Sequence, residues 1–538
     1  MKITSRHTIT LIVALIATIG SVMAATPKPR LIINIVVGSM RSGDLERYSD
    51  NLCDGGFKRL MRGGCNYTNA YLGYSNCTTA AGLATLSTGT QPSDHGAIGE
   101  SWWNYVDGQH TLLIGDSKSH PVPFSTGSGN YSAHRLTSPT LGDLLLSTSP
   151  KSKQYTIAID PLSAIVMNGK AGMPLWAESN RTHWTTSSAF TDVVPAWVVK
   201  YNQNDTNGSF QLSRWTPIYK AWMYKNEEIA IMEGIKDKHT KLLSDINLRL
   251  ATSDYGKMCY TPAGNTQVLK FASTLVVQEG MGSDSDTDIL NICLDTPRYI
   301  AELYGPESLE YEDMIYRLDK DLADFLTYVY AQVSDPSMIV VTLSSDHGTS
   351  PSYNPVDGQE RERFNTRQME VIVNAYLCAH HGSDEYILGY ANNAIYLNHK
   401  AITAKKLKID DIRDEVAIFA LQLRGVASAR SATALRNNSL SSGRGELMQQ
   451  SFYAARSGDV VLDLMPGWIV ESSNRSSSTS GYNYDRHIPL IIYGGGIEPS
   501  TIDSRVDPAH MAATLCTLID IELPWSSDGS ILPYKRKQ

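Results

Sequence analysis

The segment Arg30-Leu-Ile-Ile-Asn-Ile-Val-Val37 decides the fold class of this chain. It is a nearly continuous run of aliphatic, mostly β-branched residues between Pro29 and Gly38, and such runs are typical of strands buried on both faces of a parallel sheet. Shorter runs of the same character follow at 155–159, 338–343 and 489–493. The sequence therefore predicts a mostly parallel sheet at the core.

Helical patterns separate these runs. The clearest spans 310–328, where Tyr311, Ile315, Leu318 and Leu322 recur at helical spacing. Others lie at 56–62, 79–86 and 509–518. Strands that alternate with helices predict an α/β fold in which helices cover both faces of the sheet.

One long segment interrupts this alternation and sets the expected domain organisation. Residues 169–288 hold five of the nine tryptophans among Asn, Ser, Thr and Tyr, which favours an inserted cap region. The expected organisation is a signal peptide at 1–24, a first part of the core at 25–168, the cap at 169–288 and a second part of the core at 289–538.

The amino terminus predicts the compartment. Lys2 and Arg6 precede the apolar run 9–22, and Val22-Met23-Ala24 has the small residues of a cleavage site, so residues 1–24 are typical of a signal peptide. An uncleaved anchor is the alternative. No later apolar run is long enough to span a bilayer, so we expect an exported protein, periplasmic or secreted, without a membrane span in the mature chain.

Composition and cysteine spacing exclude further classes. The 538 residues are 42% hydrophobic and 19% charged, which is typical of a globular protein, and the net charge of −8 argues against nucleic-acid binding. The seven cysteines have no zinc-finger spacing, although one bridge such as Cys53–Cys65 is possible in an exported protein.

The residues that follow the predicted strands are the candidates for chemistry, because α/β sheets bind ligands at the carboxyl ends of their strands. Thr78 and Thr79 lie at a predicted helix N-terminus, which suits an anion. Asp346 and His347 follow the strand at 338–343 and form a plausible metal half-site. The structural alternatives are that Thr79 is only the helix N-cap and that Asp346-His347 is only a hydrogen-bonded remnant.

Several motifs occur together, in one order, over most of the chain. They are the strand and Met-Arg of 30–41, Gly55-Gly-Phe-Lys-Arg-Leu60, Thr79-x-x-Gly82-x-Ala84-x-x-x-Thr88-Gly89, His95-Gly96, Gly305-Pro306-x-Ser308-x-Glu310-x-Glu312-Asp313, Arg317-Leu-Asp319, Asp346-His347-Gly348, Arg456-Ser-Gly-Asp-Val-Val461 and Tyr484-Asp-x-His487-x-Pro489. In this combination the chain resembles the PafA-type bacterial alkaline phosphatases. The resemblance implies their fold and a phosphomonoesterase in which two zinc ions assist a threonine nucleophile.

This sequence departs from that design at most functional positions. The resemblance assigns the nucleophile to Thr79 and two zinc ligands to Asp346 and His347. The family's other metal-ligand positions hold Gly38, Arg298, Glu302 and, within a residue or two, Ser478. Its phosphate-binding positions hold Glu100, Asp160 and Leu162. An arginine does not ligate a metal, and a carboxylate repels a phosphate dianion.

These departures favour a catalytically inactive pseudophosphatase that binds or scaffolds an unknown protein or small-molecule ligand in the cap cleft. We expect no cofactor, or at most one weakly bound zinc. The alternatives are a divergent phosphate or sulfate ester hydrolase that uses Thr79 and a reduced metal site, and a secreted structural protein with an idle cleft.

We also expect Arg298 to replace a metal by pairing with Asp346, with Glu302 pairing with His347 or Arg298. The alternative is that Arg298 points into solvent.

Overall fold

A computed structural model describes residues 27–122, 129–178, 183–203, 215–226, 255–352, 363–473, 475–523 and 527–536. The predicted signal peptide lies outside these residues. All seven cysteines are free, so the possible Cys53–Cys65 bridge is not formed. Among the described residues, no helix is both long enough and apolar enough to cross a membrane.

The strands are numbered in chain order. They are β1 (Leu31–Val37), β2 (Cys65–Tyr67), β3 (Ser101–Trp103), β4 (His110–Leu112), β5 (Pro121–Val122), β6 (Gln154–Ala158), β7 (Met173–Ala177), β8 (Trp184–Ser187), β9 (Asp288–Leu294), β10 (Ile339–Ser344), β11 (Arg363–Phe364), β12 (Ile387–Ala391), β13 (Ala394–Leu397), β14 (Val426–Ser431), β15 (Val460–Leu464), β16 (Ile469–Val470), β17 (Leu490–Gly494) and β18 (Ser500–Ile502).

The α-helices are numbered in the same way. They are α1 (Ser42–Arg47), α2 (Phe57–Gly63), α3 (Thr79–Thr88), α4 (Pro92–His95), α5 (Leu141–Thr148), α6 (Pro161–Asn168), α7 (Ala196–Gln203), α8 (Ala263–Gln278), α9 (Thr296–Tyr304), α10 (Leu309–Gln332), α11 (Thr366–His381), α12 (His399–Ala404), α13 (Ile409–Ala420), α14 (Ala432–Asn437), α15 (Gly443–Gln450), α16 (Asn483–Arg486) and α17 (His510–Ile519).

The main sheet joins ten of the described strands in the order β18-β2-β17-β10-β1-β9-β6-β7-β8-β5. The central strands β10, β1, β9, β6 and β7 are parallel, whereas β17 pairs antiparallel with β10, and β8 pairs antiparallel with β7. All four strand segments expected from the sequence lie in this sheet. The predicted α/β class with a mostly parallel sheet is therefore confirmed.

Strand β1 shows why the sheet needs helices on both faces. Leu31, Ile33 and Ile35 pack into a cluster that includes residues of α8 and α10, while Val36 points to the opposite face, in a cluster with residues of α3 and α6. Successive side chains of a strand alternate between its faces, so a run that is apolar throughout is buried on both. The predicted helix at 310–328 is present as α10.

Two features differ from the expected division of the chain. Strands β7 and β8 come from the segment expected to form the cap, yet they extend the main sheet. A separate four-stranded sheet, ordered β12-β13-β15-β14, has its own hydrophobic cluster with α11 and α13. We did not predict this second sheet, because β12 and β14 are only partly buried and the buried strands β13 and β15 are four and five residues long, shorter than the apolar run of β1.

Candidate functional site

The carboxyl ends of β10, β1, β9 and β6 lie side by side and form the base of the candidate site. Ser345 to His347 follow β10, Gly38 and Ser39 follow β1, and Arg298 and Asp160 follow β9 and β6. The positions singled out in the sequence therefore meet at one edge of the sheet, as the strand-end argument expects.

Asp346 is held by hydrogen bonds within the protein. Its Oδ1 accepts from the backbone N–H of Ser39 at 2.8 Å, from that of His347 at 2.9 Å and from Ser345 Oγ at 3.3 Å. Ser39 adopts a left-handed conformation with φ of 57°, an uncommon one for a residue other than glycine, and thereby presents its N–H to the carboxylate. Asp346 and His347 are both buried.

His347 is oriented by its neighbour on one side and faces the nucleophile position on the other. Its Nδ1 lies 2.6 Å from the carbonyl oxygen of Gly348 and donates to it. Its Nε2 lies 3.1 Å from Thr79 Oγ1, 3.3 Å from Asp346 Oδ2 and 3.4 Å from Ser478 Oγ. A threonine hydroxyl in contact with an oriented imidazole is an arrangement that can pass a proton from one to the other.

The start of α3 corrects one interpretation of the sequence. The N-cap is Thr78, whose Oγ1 accepts from the N–H of Ala81 at 3.2 Å, and Thr79 is the first residue of the helix. Thr79 therefore does not serve as the cap, and its hydroxyl is directed at His347. The helix packs closely here, because a Cβ at Gly82 would lie 1.8 Å from the carbonyl oxygen of Asp346.

Arg298 is buried, but its partner is not the one expected. Its Nη2 lies 2.8 Å from Asp160 Oδ2, and its Nη1 lies 4.0 Å from Glu302 Oε1. Within the described residues it forms no ion pair with Asp346 inside 4.0 Å. Arg298 follows β9 and Asp160 follows the adjacent strand β6, whereas Asp346 follows β10 on the far side of β1, about 10 Å away at the usual strand spacing.

Two further residues complete this ion pair. Tyr299 donates to Asp160 Oδ2 at 2.9 Å, and the Arg298 guanidinium lies 4.4 Å from the centre of the Tyr299 ring. Asp295 accepts from the backbone N–H groups of Ile159 and Asp160. Burial, together with the nearby carboxylate of Asp160, raises the pKa of Asp295 to about 7. We did not predict these two roles, although both residues lie within three positions of Arg298.

The residues present do not fit the two zinc ions that the resemblance implies. The first site keeps Asp346 and His347, but catalytic zinc needs a third protein ligand, and Gly38 offers none. A Cβ at Gly38 would lie 3.1 Å from Arg298 Cβ, so the arginine occupies the adjacent space. At the second site the Arg298 guanidinium lies where the resemblance implies a metal ligand, and a cation does not ligate a metal. Across the described residues, no group of three or more His, Cys, Asp or Glu side chains is arranged to hold a metal.

A pocket of about 420 Å³ opens above these residues. Its charged lining residues are Glu100, Glu302 and Arg298. Most of its remaining lining side chains carry hydroxyls, from Thr78, Thr79, Ser101, Ser472, Ser473, Ser476, Ser477, Ser478 and Thr479. None of its described lining residues belongs to 169–288.

The other residues considered in the sequence lie elsewhere. The side chain of Leu162 is buried in the hydrophobic cluster that includes residues of α3, while its backbone N–H donates to Asp160 Oδ1 at 2.9 Å. His487 donates through Nε2 to the carbonyl oxygen of Thr68 at 2.9 Å and stacks on Tyr71, which is a structural arrangement.

Comparisons with known proteins agree with this fold. The sequence profile of the family described as type I phosphodiesterase / nucleotide pyrophosphatase matches residues 32–487. Alkaline phosphatase PafA of Elizabethkingia meningoseptica is 29% identical over 517 residues, 94% of each chain. Alkaline phosphatase PhoV of Synechococcus elongatus is 25% identical and matches 94% of this chain and 92% of its own. The crystal structure of wild-type PafA superposes with a TM-score of 0.85 at 26% identity and covers 94% of this chain and 99% of that one.

Proposed function

The chain belongs to the family of type I phosphodiesterases and nucleotide pyrophosphatases, in the alkaline phosphatase superfamily, and from that premise we propose that it is a binding protein that has lost two-metal phosphatase chemistry. Its relatives are phosphate ester hydrolases by name. The proposal is that this chain keeps their scaffold and uses the pocket above the strand ends to bind a ligand without turning it over.

The observation that carries the proposal is the ion pair of Arg298 with Asp160. A metal site needs anionic or neutral donors, and here a buried guanidinium stands where the resemblance expects a ligand. A phosphate site needs cationic donors, and here an aspartate stands where the resemblance expects a basic side chain. The two substituted side chains meet at 2.8 Å, so each neutralises the charge that the other brings.

The rest of the pocket disfavours a phosphate dianion as well. Glu100 and Glu302 line the pocket, and its only cation among the described lining residues is Arg298, which already pairs with Asp160. Desolvation in the pocket raises the pKa of Glu100, and the carboxylates of Asp160 and Glu302 raise it further. A dianion placed beside these carboxylates would meet repulsion that no metal offsets.

We further propose that the protein works outside the cytoplasm, periplasmic or secreted, on the pattern of residues 1–24. A fusion of residues 1–30 to a reporter that is active only after export tests this. Loss of export when the apolar run 9–22 is interrupted by charge would support the signal peptide, and retention of the intact fusion in the cytoplasm would contradict it.

Phosphatase turnover is the direct test of the main proposal. The purified mature chain is assayed with p-nitrophenyl phosphate, with and without added zinc, beside Thr79→Ala. We expect the two proteins to hydrolyse it at the same background rate. Zinc-dependent hydrolysis that is lost in Thr79→Ala would refute the proposal.

A second candidate is an ester hydrolase that uses Thr79, and two observations favour it. Thr79 Oγ1 contacts His347 Nε2 at 3.1 Å, and the named relatives are hydrolases. In such an enzyme His347 would accept the hydroxyl proton while Thr79 attacks the phosphorus or sulfur atom, the bond to the ester's alcohol would break and the alcohol would leave with a proton, and water would then release phosphate or sulfate from Thr79. Hydrolysis of a sulfate or phosphate ester that needs both Thr79 and His347 would favour this candidate over the binding protein.

A further inference from the structure

We infer that the pocket above the strand ends takes a polyhydroxylated small molecule that carries a protonated amine, the chemistry of an amino sugar. This inference rests on the proposed binding function and names the class of ligand for the same site.

The first step is the charge that remains available to a ligand. Within the described residues the Glu100 carboxylate has no hydrogen-bond donor and no ion pair. For the Glu302 carboxylate, the contact within the described residues is the one with Arg298 Nη1 at 4.0 Å, and the side chain is 41% exposed. Arg298 is itself neutralised by Asp160 at 2.8 Å. The charges left uncompensated in the pocket are therefore negative, and they select a cation over an anion.

The second step is that these carboxylates share one environment. Asp160 and Glu302 both raise the pKa of Glu100, whereas Arg298 lowers it, so the four groups interact with one another. Burial is the largest cause of the raised pKa. Glu100 is exposed to the pocket, and an ammonium group beside it would form a charge-assisted hydrogen bond, which is stronger than a neutral one.

The third step is the set of hydroxyl side chains that line the same pocket as these carboxylates. The side chains of Ser472, Ser473 and Ser477 line the pocket and form no hydrogen bond with the described part of the chain. A hydroxyl group can both donate and accept a hydrogen bond. These serine hydroxyls can therefore bind the hydroxyl groups of a polyol, and they do not favour a charged ligand over a neutral one. Asn392 adds an amide at the same pocket.

The fourth step is size. A cavity of about 420 Å³ lies in the range of small-molecule sites, roughly 300–1,000 Å³. It is large enough for a monosaccharide. Thr79 and Arg298, which also line it, are polar and favour a hydrophilic ligand over an apolar one.

Calorimetric titration of the full mature chain near pH 6 tests the inference with three matched probes. They are D-glucosamine, N-acetyl-D-glucosamine, which lacks the charge, and D-glucosamine 6-phosphate, which adds a phosphate. We expect D-glucosamine to bind roughly tenfold more tightly than either of the others, the difference that one hydrogen bond to a charged group provides.

Variants locate the effect. Glu100→Gln and Glu302→Gln should each weaken D-glucosamine roughly tenfold and leave N-acetyl-D-glucosamine unchanged, because they remove charge and keep shape. Glu385→Gln, at an exposed glutamate outside the pocket, is the matched control and should change neither. Thermal unfolding of each variant shows whether weaker binding reflects a loss of folding instead.

The outcomes separate this inference from the proposed function. Equal affinity for the three probes, tighter binding of the phosphate, or no heat from D-glucosamine at millimolar concentration would overturn the inference, and the binding function would stand as long as phosphatase turnover is absent. Zinc-dependent phosphatase turnover would overturn the proposed function whichever probe binds.

Discussion

Replacement of Arg298 by alanine tests the ion pair on which the functional proposal depends. The side chains of Arg298 and Asp160 are 8% and 18% exposed, so Arg298→Ala leaves a largely buried aspartate without its cation. Removing one partner of a buried ion pair costs about 3–5 kcal/mol. Asp160 keeps the hydrogen bond from Tyr299 at 2.9 Å and that from Leu162 N–H at 2.9 Å. We therefore expect a lower cost of about 2–3 kcal/mol.

The assay is urea unfolding followed by tryptophan fluorescence. A shift in midpoint at an unchanged m value measures the loss of stability. Asp160→Asn is the matched partner variant, because asparagine still caps α6 through the Oδ1 that accepts from Leu162. In the double variant part of the Arg298→Ala loss should be recovered, which gives a coupling energy of about 2 kcal/mol.

A second cycle tests the partner that we first expected. Arg298→Ala combined with Asp346→Asn should be additive within about 0.5 kcal/mol, since the two side chains share no hydrogen-bond partner. Coupling below about 0.5 kcal/mol with Asp160, or larger coupling with Asp346 than with Asp160, would refute the ion-pair argument.

Three further predictions concern the metal, the helix cap and pH. Elemental analysis after exhaustive dialysis should find well under one equivalent of zinc per chain. Gly38→Asp alone should neither raise the zinc content nor restore turnover, because the new Cβ would lie 3.1 Å from Arg298 Cβ. Two zinc ions per chain would contradict this prediction. Thr78→Ala should lower the free energy of unfolding by about 1 kcal/mol through loss of the N-cap of α3, whereas Thr78→Ser should keep most of the stability that the cap provides. Equal urea midpoints for these two variants would contradict the assignment of Thr78 as the N-cap. The pKa of Asp295 is raised to about 7 in the folded state, so folding takes up a proton between about pH 4 and 7 and the free energy of unfolding declines as the pH rises through that window. In Asp295→Asn this part of the decline should vanish. Identical pH profiles of the urea midpoint for the two proteins would exclude Asp295 as its source.

Thr79, Asp346 and His347 meet in the structure as the sequence predicts, because each follows or faces the carboxyl end of a strand whose apolar run is visible in the sequence. Strand β9, which precedes Arg298, was not among the strands predicted from the sequence. Strand β9 begins at Asp288, the last residue of the expected cap segment. Its pairing with both β1 and β6 could not be predicted from the sequence. The partner of Arg298 depends on that pairing order.

The helix start at Thr78 and Thr79 illustrates a second limit. Both residues are good N-caps, so residue preference alone does not distinguish them. The distinction comes from tertiary contact, since the buried side chain of His347 lies 3.1 Å from Thr79 Oγ1 and leaves Thr78 to accept from Ala81. Strands β12–β15 were missed for a related reason, because they bury their apolar residues against α11 and α13 over segments too short to show a clear period.

The contacts of Asp346 and His347 give both residues a structural role that does not require a metal. Two backbone N–H groups, those of Ser39 and His347, donate to Asp346 Oδ1, and removing the carboxylate would leave these buried donors without an acceptor. His347 Nδ1 likewise donates to the carbonyl oxygen of Gly348. By contrast, Arg298 and Asp160 pair with each other and form no described contact with the backbone around Asp346. On the proposed binding function, Asp346 and His347 therefore stabilise the strand ends, while the charges that face the pocket are the ones available to a ligand.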